Sequence, residues 1–315
     1  MAVQALPGGA HRGRIELRQL HYFVTLAEEL HFGRAAAREH IAPSALTAHV
    51  QRLERAVGVQ LVERTSRSVK LTRAGARFLV EARQILDHVE RAAALAQGAA
   101  PTLRVGLLDE GYDAIRPVLR AVQARHPDMA IHQVQAGVPE QRRLLADGRL
   151  DIGVGLLPGA AAGITAEVFR RDPLGVLVPA GHPYATQPSV PVTALRGETL
   201  LLADEEQAPE ANAFVTEVLR SAGCFPQVFP GSVQTLRAAV DLVAQGRCVL
   251  CTPASTAGWP PDVVWRQLDG AVPHYPWSLL WRGADSSRQA LAVVTTARLL
   301  AAEQNWRAEL AGGAA

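Results

Sequence analysis

The 315-residue chain has a single lysine, Lys70, and only three cysteines, Cys224, Cys248 and Cys251. An odd trio of cysteines cannot make the disulfide framework of a small secreted scaffold. No apolar run approaches the length of about 18 residues that a membrane-spanning helix needs, and the opening stretch "MAVQALPGGAHRGR" has no hydrophobic signal core. The expectation is a soluble, cytoplasmic protein with no membrane partner. Catalytic signatures are equally scarce. There is no H-E-x-x-H, no G-x-S-x-G, and no close metal-ligand spacing among the ten histidines. "GVGLLPG" (153–159) has the wrong spacing for a dinucleotide loop and puts Pro158 where a helix should begin. No metal site, cofactor or enzymatic centre is expected.

What is present is unevenly distributed. The net charge is +2, yet residues 1–91 carry fourteen Lys/Arg against nine Asp/Glu, and the remainder carries eighteen against twenty-one. The N-terminal part therefore suits an anionic partner and the rest does not. The preference for Arg over Lys runs through the whole chain and is read mainly as composition, although the guanidinium fork does suit phosphate. The length predicts about two domains.

Residues 1–14 read as a loose arm. From residue 17 an apolar stripe (Leu17, Leu20, Phe23, Val24, Ala27, Leu30) predicts a helix. A second, shorter helix follows over 32–40, where Ala35, Ala36 and Ala37 permit close packing. Pro43 suits the first turn of a third helix, which carries Leu46, Val50, Leu53 and Val57 on one side and stops at Gly58. Residues 59–72 read as two short strands around a polar tip at Ser66–Ser68, and Thr72 can cap a long helix. Phe78, Ala82, Ile85, Val89, Ala92 and Ala96 form a heptad seam on that helix, which would extend about 40 Å. A seam of that length needs cover, from the second domain or from another copy of the chain, and another copy is favoured.

Beyond the linker at 97–101 the period changes. A strand at "TLRVGLL", a helix over 115–125, a strand at "MAIHQVQ", a helix over 139–147 and a strand at "LDIGVG" predict a parallel sheet. A second run starts at "PLGVLVP" (173–179). It continues through a strand at "TLLLA", a helix over 209–222, a strand near "PQVFP", a helix over 233–245 and a strand at "CVLCTP". The chain then returns with "PWSLLWR" and a last helix from about 286. Two α/β lobes with a late return imply a cleft between them, where ligands favour the carboxyl ends of strands.

Three small helices and a β-ribbon with local positive charge fit a winged helix–turn–helix, whose second motif helix enters the major groove. In that reading Pro43, Ser44, Thr47 and Ala48 face the bases, and Arg34, Arg52, Arg64, Arg67 and Lys70 meet DNA, chiefly at phosphates. The segment "LRQLHYFVTLAEELHFGRAAAREHIAPSALTAHVQRLERAVGVQLVERTSRSVKLTRAGARFL" resembles the LysR-type transcriptional regulators nearly end to end. "LRVGLL", "HPDMAI", "GRLDIGVG", "VLVPAGHP" and "VQTLRAAVDLVAQGRCVLCTP" resemble their effector domain more weakly.

The resemblance covers residue 15 to about 302. It implies an α/β fold overall: a winged helix–turn–helix (15–72), a linker and dimerisation helix (73–97) and a hinge (98–101). A two-lobed, periplasmic-binding-protein-like effector domain follows at 102–302, with lobe I at 102–172 and 273–302, lobe II at 173–272, and a tail at 303–315. It further implies dimers or a dimer-of-dimers tetramer that reads an interrupted inverted repeat in duplex DNA. A small molecule would bind between the lobes, with consequences for contact with RNA polymerase. The family usually begins its recognition helix with Ser-Gln-Pro; here Ala42, Pro43 and Ser44 stand there, so a capping serine and an adenine-pairing glutamine are lost.

By position the resemblance places the effector at Asp109 and Glu110, Gly137 and Val138, Ala203, Asp204 and Glu205, and Thr235. Two acids in that first corner would repel an anion at short range. The ligand would then be neutral or cationic there, or the acids point away, or they are solvated loop residues. Cys248 and Cys251 spell C-x-x-C, but along a strand their side chains take opposite faces, so they read as core residues. Cys224 is a weak candidate for a reactive thiol. Trp259, Trp265, Trp277 and Trp281 read as core or lobe packing. The alternative function is a soluble two-lobed binding protein or enzyme with an N-terminal oligomerisation module.

Overall fold

In a computed structural model of the protein, residues 14–64, 68–98, 100–157, 163–283 and 286–307 are described. The chain divides into two compact units, Met1–Ala99 and Ala100–Ala315.

The first unit contains α1 (Leu17–Glu29), α2 (Phe32–Arg38), α3 (Pro43–Val57), strands β1 (Val62–Arg64) and β2 (Val69–Leu71), and α4 (Arg73–Ala96). Local chemistry sets each boundary. His31 accepts from the amides of Gly33 and Arg34 and caps α2. Pro43 occupies the first turn of α3, and Gly58 ends it in the left-handed region at φ 83°. Thr72 caps α4 by accepting from the Gly75 amide at 2.9 Å, while its hydroxyl donates to the Gln60 carbonyl at 2.8 Å. A β-carbon on Gly75 would lie 1.9 Å from the Leu61 carbonyl oxygen, so only glycine lets α4 pass this close to the root of the ribbon. Phe23, Leu26, Leu46, Val50, Leu53 and Leu61 are fully buried together.

Two apolar stripes differ from expectation. Leu17 and Leu30 are each 46% exposed, whereas Leu26 is buried. Leu30 is the left-handed residue that ends α1 (φ 47°), so it leaves the helical period. Ala37 is exposed, and only Ala35 and Ala36 make the close approach to neighbouring helices. On α4, Phe78 and Ala82 pack into the core of their own unit, with the rings of Phe78 and Phe23 5.6 Å apart. Ile85 and Val89 remain 43% and 41% exposed, and Ala92 is exposed as well. The heptad pattern was a composite of two faces with different jobs.

The second unit is built on two mixed sheets. One has the order β4-β3-β5-β13-β6, from β3 (Thr102–Leu107), β4 (Ala130–Gln135), β5 (Ile152–Gly155), β6 (Ile164–Asp172) and β13 (Tyr275–Arg282). The other has the order β10-β9-β11-β7-β12-β8, from β7 (Leu174–Pro179), β8 (Ser189–Pro191), β9 (Thr199–Leu201), β10 (Gln227–Val228), β11 (Val249–Pro253) and β12 (Val263–Asp269). Helices α5 (Asp109–Arg125), α6 (Val138–Ala146), α7 (Pro209–Ser221), α8 (Leu236–Ala244) and α9 (Arg288–Glu303) cover them. The expected parallel arrangement holds for β4-β3-β5, but β13 runs antiparallel to both β5 and β6. Strands β6, β8 and β12 were not anticipated. β6 has the burial pattern of an edge strand and carries polar residues along most of its length, so it lacks the apolar run that marks a buried strand. α5 begins at Asp109, six residues before the expected Ile115, and tolerates Pro117 inside it. Among the described residues no helix is long and apolar enough to cross a membrane.

Candidate functional site

The first candidate surface is the outer face of α3. Pro43 and Ser44 are exposed, and Thr47 and Ala48 are half-buried beside them. Gln51, not among the expected base-facing residues, is exposed and falls on the same side one turn beyond Thr47. Ala42 offers no side-chain acceptor, so the first amides of α3 carry no cap. That leaves donors and the positive end of the helix dipole at the surface.

The basic residues around this face are not equivalent. Arg52 and Lys70 are exposed. Arg34 is exposed too, but its Nε lies 3.2 Å from a Glu29 carboxylate oxygen. Arg64 departs from the expected phosphate role. Its guanidinium stacks 4.6 Å over the Phe32 ring and lies 3.7 Å from Glu54, which itself accepts from the amides of Leu61 and Val62. The side chain buttresses the root of the ribbon because an aromatic face and a carboxylate are both within its reach. Arg67 lies outside the described residues.

The second candidate site is a cavity of about 100 Å³ between the two sheets of the second unit, with a smaller one of about 40 Å³ adjoining it. Apolar side chains dominate the larger wall, among them Val138, Leu174, Leu201, Val215 and Trp277. Polar groups are set among them: Glu110 in the first turn of α5, Glu210 in the first turn of α7 and Tyr275 at the start of β13, with the uncharged Gln141, Gln207, Asn212 and Thr252. Glu110 is therefore not a solvated loop acid. Burial, with the charge of Asp109 behind it, holds its carboxyl above the ordinary carboxylate range, against the pull of its own backbone N–H. Burial likewise raises Glu210, and one of its oxygens is buried with no hydrogen-bond partner. The Tyr275 hydroxyl is raised by burial and by both glutamates, and its ring packs edge-to-face against Trp277 with centroids 4.8 Å apart.

The other expected effector residues divide. Val138 lines the larger cavity, Ala203 lines both, and Asp109, Asp204 and Thr235 line the smaller one. The Thr235 hydroxyl already accepts from the Ala238 amide and caps α8. Glu205 is exposed and accepts from Asn212 at 2.7 Å, so it braces the cavity wall from outside. Asn212 in turn holds both the amide and the carbonyl of Ala203. Gly137 lines neither cavity. It precedes α6 where a β-carbon would fall 1.9 Å from the Gln207 carbonyl oxygen, so it permits a backbone-to-backbone approach between the turn before α6 and the segment before α7. Glu210, Tyr275, Trp277 and Cys251 were not expected here, although an acid directly after the helix-starting Pro209 repeats the pattern of Asp109–Glu110.

All three cysteines are free. Cys248 and Cys251 belong to different core clusters. Cys251 lines the larger cavity, and burial pushes its thiol up to about 12. Cys224 does not suit a reactive role, since it is buried and its thiol is also raised by burial. Trp277 departs from pure packing: its indole N–H donates to Ser255 at 3.1 Å while its ring forms cavity wall.

A winged helix–turn–helix followed by a two-sheet domain with a cavity between the sheets defines a DNA-binding regulator that responds to a small ligand. The chain belongs to the LysR family of bacterial transcriptional regulators. Residues 17–76 match the bacterial regulatory helix-turn-helix protein domain of the lysR family, and residues 96–300 match the LysR substrate binding domain. A probable cat1 operon transcriptional activator of Acinetobacter lwoffii is 33% identical over 87% of this chain and 92% of its own. The regulator YnfL of Escherichia coli is 35% identical over 76% of this chain and 83% of its own. Among solved structures, full-length OxyR from Pseudomonas aeruginosa superposes with a TM-score of 0.65 at 27% identity, covering 91% of this chain and 96% of that one. Full-length CbnR complexed with its target DNA superposes with a TM-score of 0.63 at 26% identity, covering 90% and 99%. These relatives are transcriptional regulators rather than enzymes, which removes the enzymatic alternative.

Proposed function

We propose that α3 is the recognition helix and that Ser44, Thr47, Ala48 and Gln51, led by Pro43, approach base edges in the major groove. Serine, threonine and glutamine offer donors and acceptors, and Ala48 offers a methyl group. Arg34, Arg52, Arg67 and Lys70 orient the domain on phosphates, and Arg64 stiffens the wing. The observation that carries this reading is the uncapped, outward-facing start of α3 on a domain whose fold the DNA-bound CbnR shares. Two copies join through the Ile85, Val89 and Ala92 face of α4, and pairs associate into a tetramer on an interrupted inverted repeat in the cytoplasm. The cavity between the sheets is the effector site. Its occupancy alters the arrangement of the DNA-binding domains and their contact with RNA polymerase.

A gel-shift titration on the DNA upstream of the protein's own gene tests the DNA-binding half. Binding weakens steeply with salt, because each phosphate contact releases counterions. Lys70→Ala lowers affinity on every sequence and reduces the salt slope by about one. Thr47→Ala instead reorders the preference among sites. Equal effects of both variants on all sequences would refute the assignment of roles.

A further inference from the structure

Among the described residues, the two adjoining cavities between the sheets are lined by four carboxylates, Asp109, Glu110, Asp204 and Glu210, and by no arginine, lysine or histidine. Their placement is specific. Glu110 and Glu210 sit in the first turns of α5 and α7, where free amides and the helix dipole would ordinarily receive an anion from outside. Here the helix's own glutamate stands in that first turn, so a carboxylate of the protein already lies beside those amides. An anionic ligand would meet like charge in a largely apolar wall, with no cation among the described lining residues to offset it.

The rest of the wall points the same way. Oε2 of Glu210 and Oε1 of Gln141, both residues of the larger cavity wall, are buried without a hydrogen-bond partner. Leaving such acceptors unmet inside a protein is costly, and a donor arriving with the ligand removes the cost. The Tyr275 hydroxyl stands close enough to feel both carboxylates, and the Tyr275 and Trp277 rings, packed edge-to-face, form an aromatic stretch of wall. Aromatic faces attract cations. The base nearest in effect, Arg142 of α6, is exposed, acts on Glu210 only, and does not line either cavity.

We infer that the effector is a small organic cation, an ammonium on an apolar and preferably aromatic body, whose charge is held between Glu110 of α5 and Glu210 of α7. This rests on the reading of the cavity as the effector site. An ammonium has three donors and no acceptor, which matches two carboxylates and a hydroxyl. Glu110 follows a strand of one sheet and Glu210 follows a strand of the other, so a single charge ties both halves of the unit together. A ligand that prefers one arrangement of the halves shifts their equilibrium by its differential affinity.

The test uses the full-length protein and three probes of one skeleton: benzylamine, benzyl alcohol and benzoate. Calorimetry and thermal unfolding follow binding, and Trp277 supplies a fluorescence signal from the wall. Benzylamine binds and stabilises more than the alcohol, and benzoate gives no response. The amine also displaces protons from the glutamates, so its apparent binding enthalpy changes with the ionisation enthalpy of the buffer. Glu210→Gln and Glu110→Gln each reduce amine affinity at least about tenfold, equivalent to about 1.4 kcal/mol, while alcohol binding stays within a few-fold. Retained alcohol binding shows that the cavity, and with it the second unit, is folded in the variants. Tight benzoate binding, or amine affinity in both variants unchanged from that of the parent protein, overturns the cation assignment and leaves the cavity as effector site intact. Failure of all three probes to reach the cavity overturns the assignment together with the reading beneath it.

Discussion

Glu110 couples the chemistry of the cavity to the stability of the unit around it. Its carboxyl titrates above the ordinary range in the folded protein, chiefly through burial, with Asp109 adding repulsion and its own amide opposing. Glu210 and the Tyr275 hydroxyl face the same space. For a group whose folded-state value is raised, the stabilising contribution is complete below the ordinary carboxylate range. It is lost as pH climbs through the raised value, because the folded state then releases a proton it had favoured holding. Unliganded protein is therefore expected to lose thermal stability as pH rises from the acidic side towards neutrality. Glu110→Gln should flatten that decline and raise the melting temperature near neutral pH, as calorimetric scans across pH would record. A profile unchanged by the substitution would mean that the carboxyl is ionised and solvated. None of this was legible in the residues alone. "DEGYDAI" reads as a loop because glycine and two acids precede the apolar period, and only the fold turns it into a first helical turn that aims Glu110 inward.

Among the elements, α3 was the most legible and α4 the most deceptive. Pro43 at the start, Gly58 at the end and the Leu46, Val50, Leu53 stripe each have a local cause, and each is in place. The weak point of α3 is Ala42, whose methyl cannot accept from the first amides. Ala42→Ser should add about 1 kcal/mol of stability through a new cap, visible as a higher denaturant midpoint with an unchanged slope. On α4 a single heptad pattern concealed two surfaces, since periodicity reports that a residue is to be covered and not by what. Phe78 and Ala82 are covered by α1 and the rest of their own domain, while Ile85 and Val89 are left outside it. Strand β6 escaped for the converse reason: an edge strand that mixes polar residues with a few buried ones has too little period to declare itself.

For the molecule as a whole, the division into a basic N-terminal third and a mildly acidic remainder was readable from charge alone, and the break in period near residue 100 coincides with the boundary between the two compact units. The two-sheet plan of the second unit was readable from its alternation of strands and helices. The return of the chain through β13 was visible too, but its antiparallel pairing was not, because strand direction leaves no mark on composition. Assembly is the property that belongs to this scale. Ile85→Asp with Val89→Asp should lower the oligomeric state in sedimentation and cost more than about 1.4 kcal/mol, or tenfold, in binding to a two-half-site duplex, while binding to a lone half-site changes little. Phe78→Ala is the contrasting case: it should lower the melting temperature through lost core packing, at a cost below the ~3–5 kcal/mol of a fully buried phenylalanine because its ring is only partly buried, whatever the assembly does.

Lys70 stands exposed on β2, one residue from the end of the ribbon, and no other lysine occurs anywhere in the chain. Apart from the amino terminus, reagents that acylate primary amines thus have one address on this molecule, and it is the wing. A dye or crosslinker attached by ordinary amine chemistry would land on the wing without any cysteine engineering, so the unmodified protein carries its own handle for testing whether that wing meets and leaves a duplex.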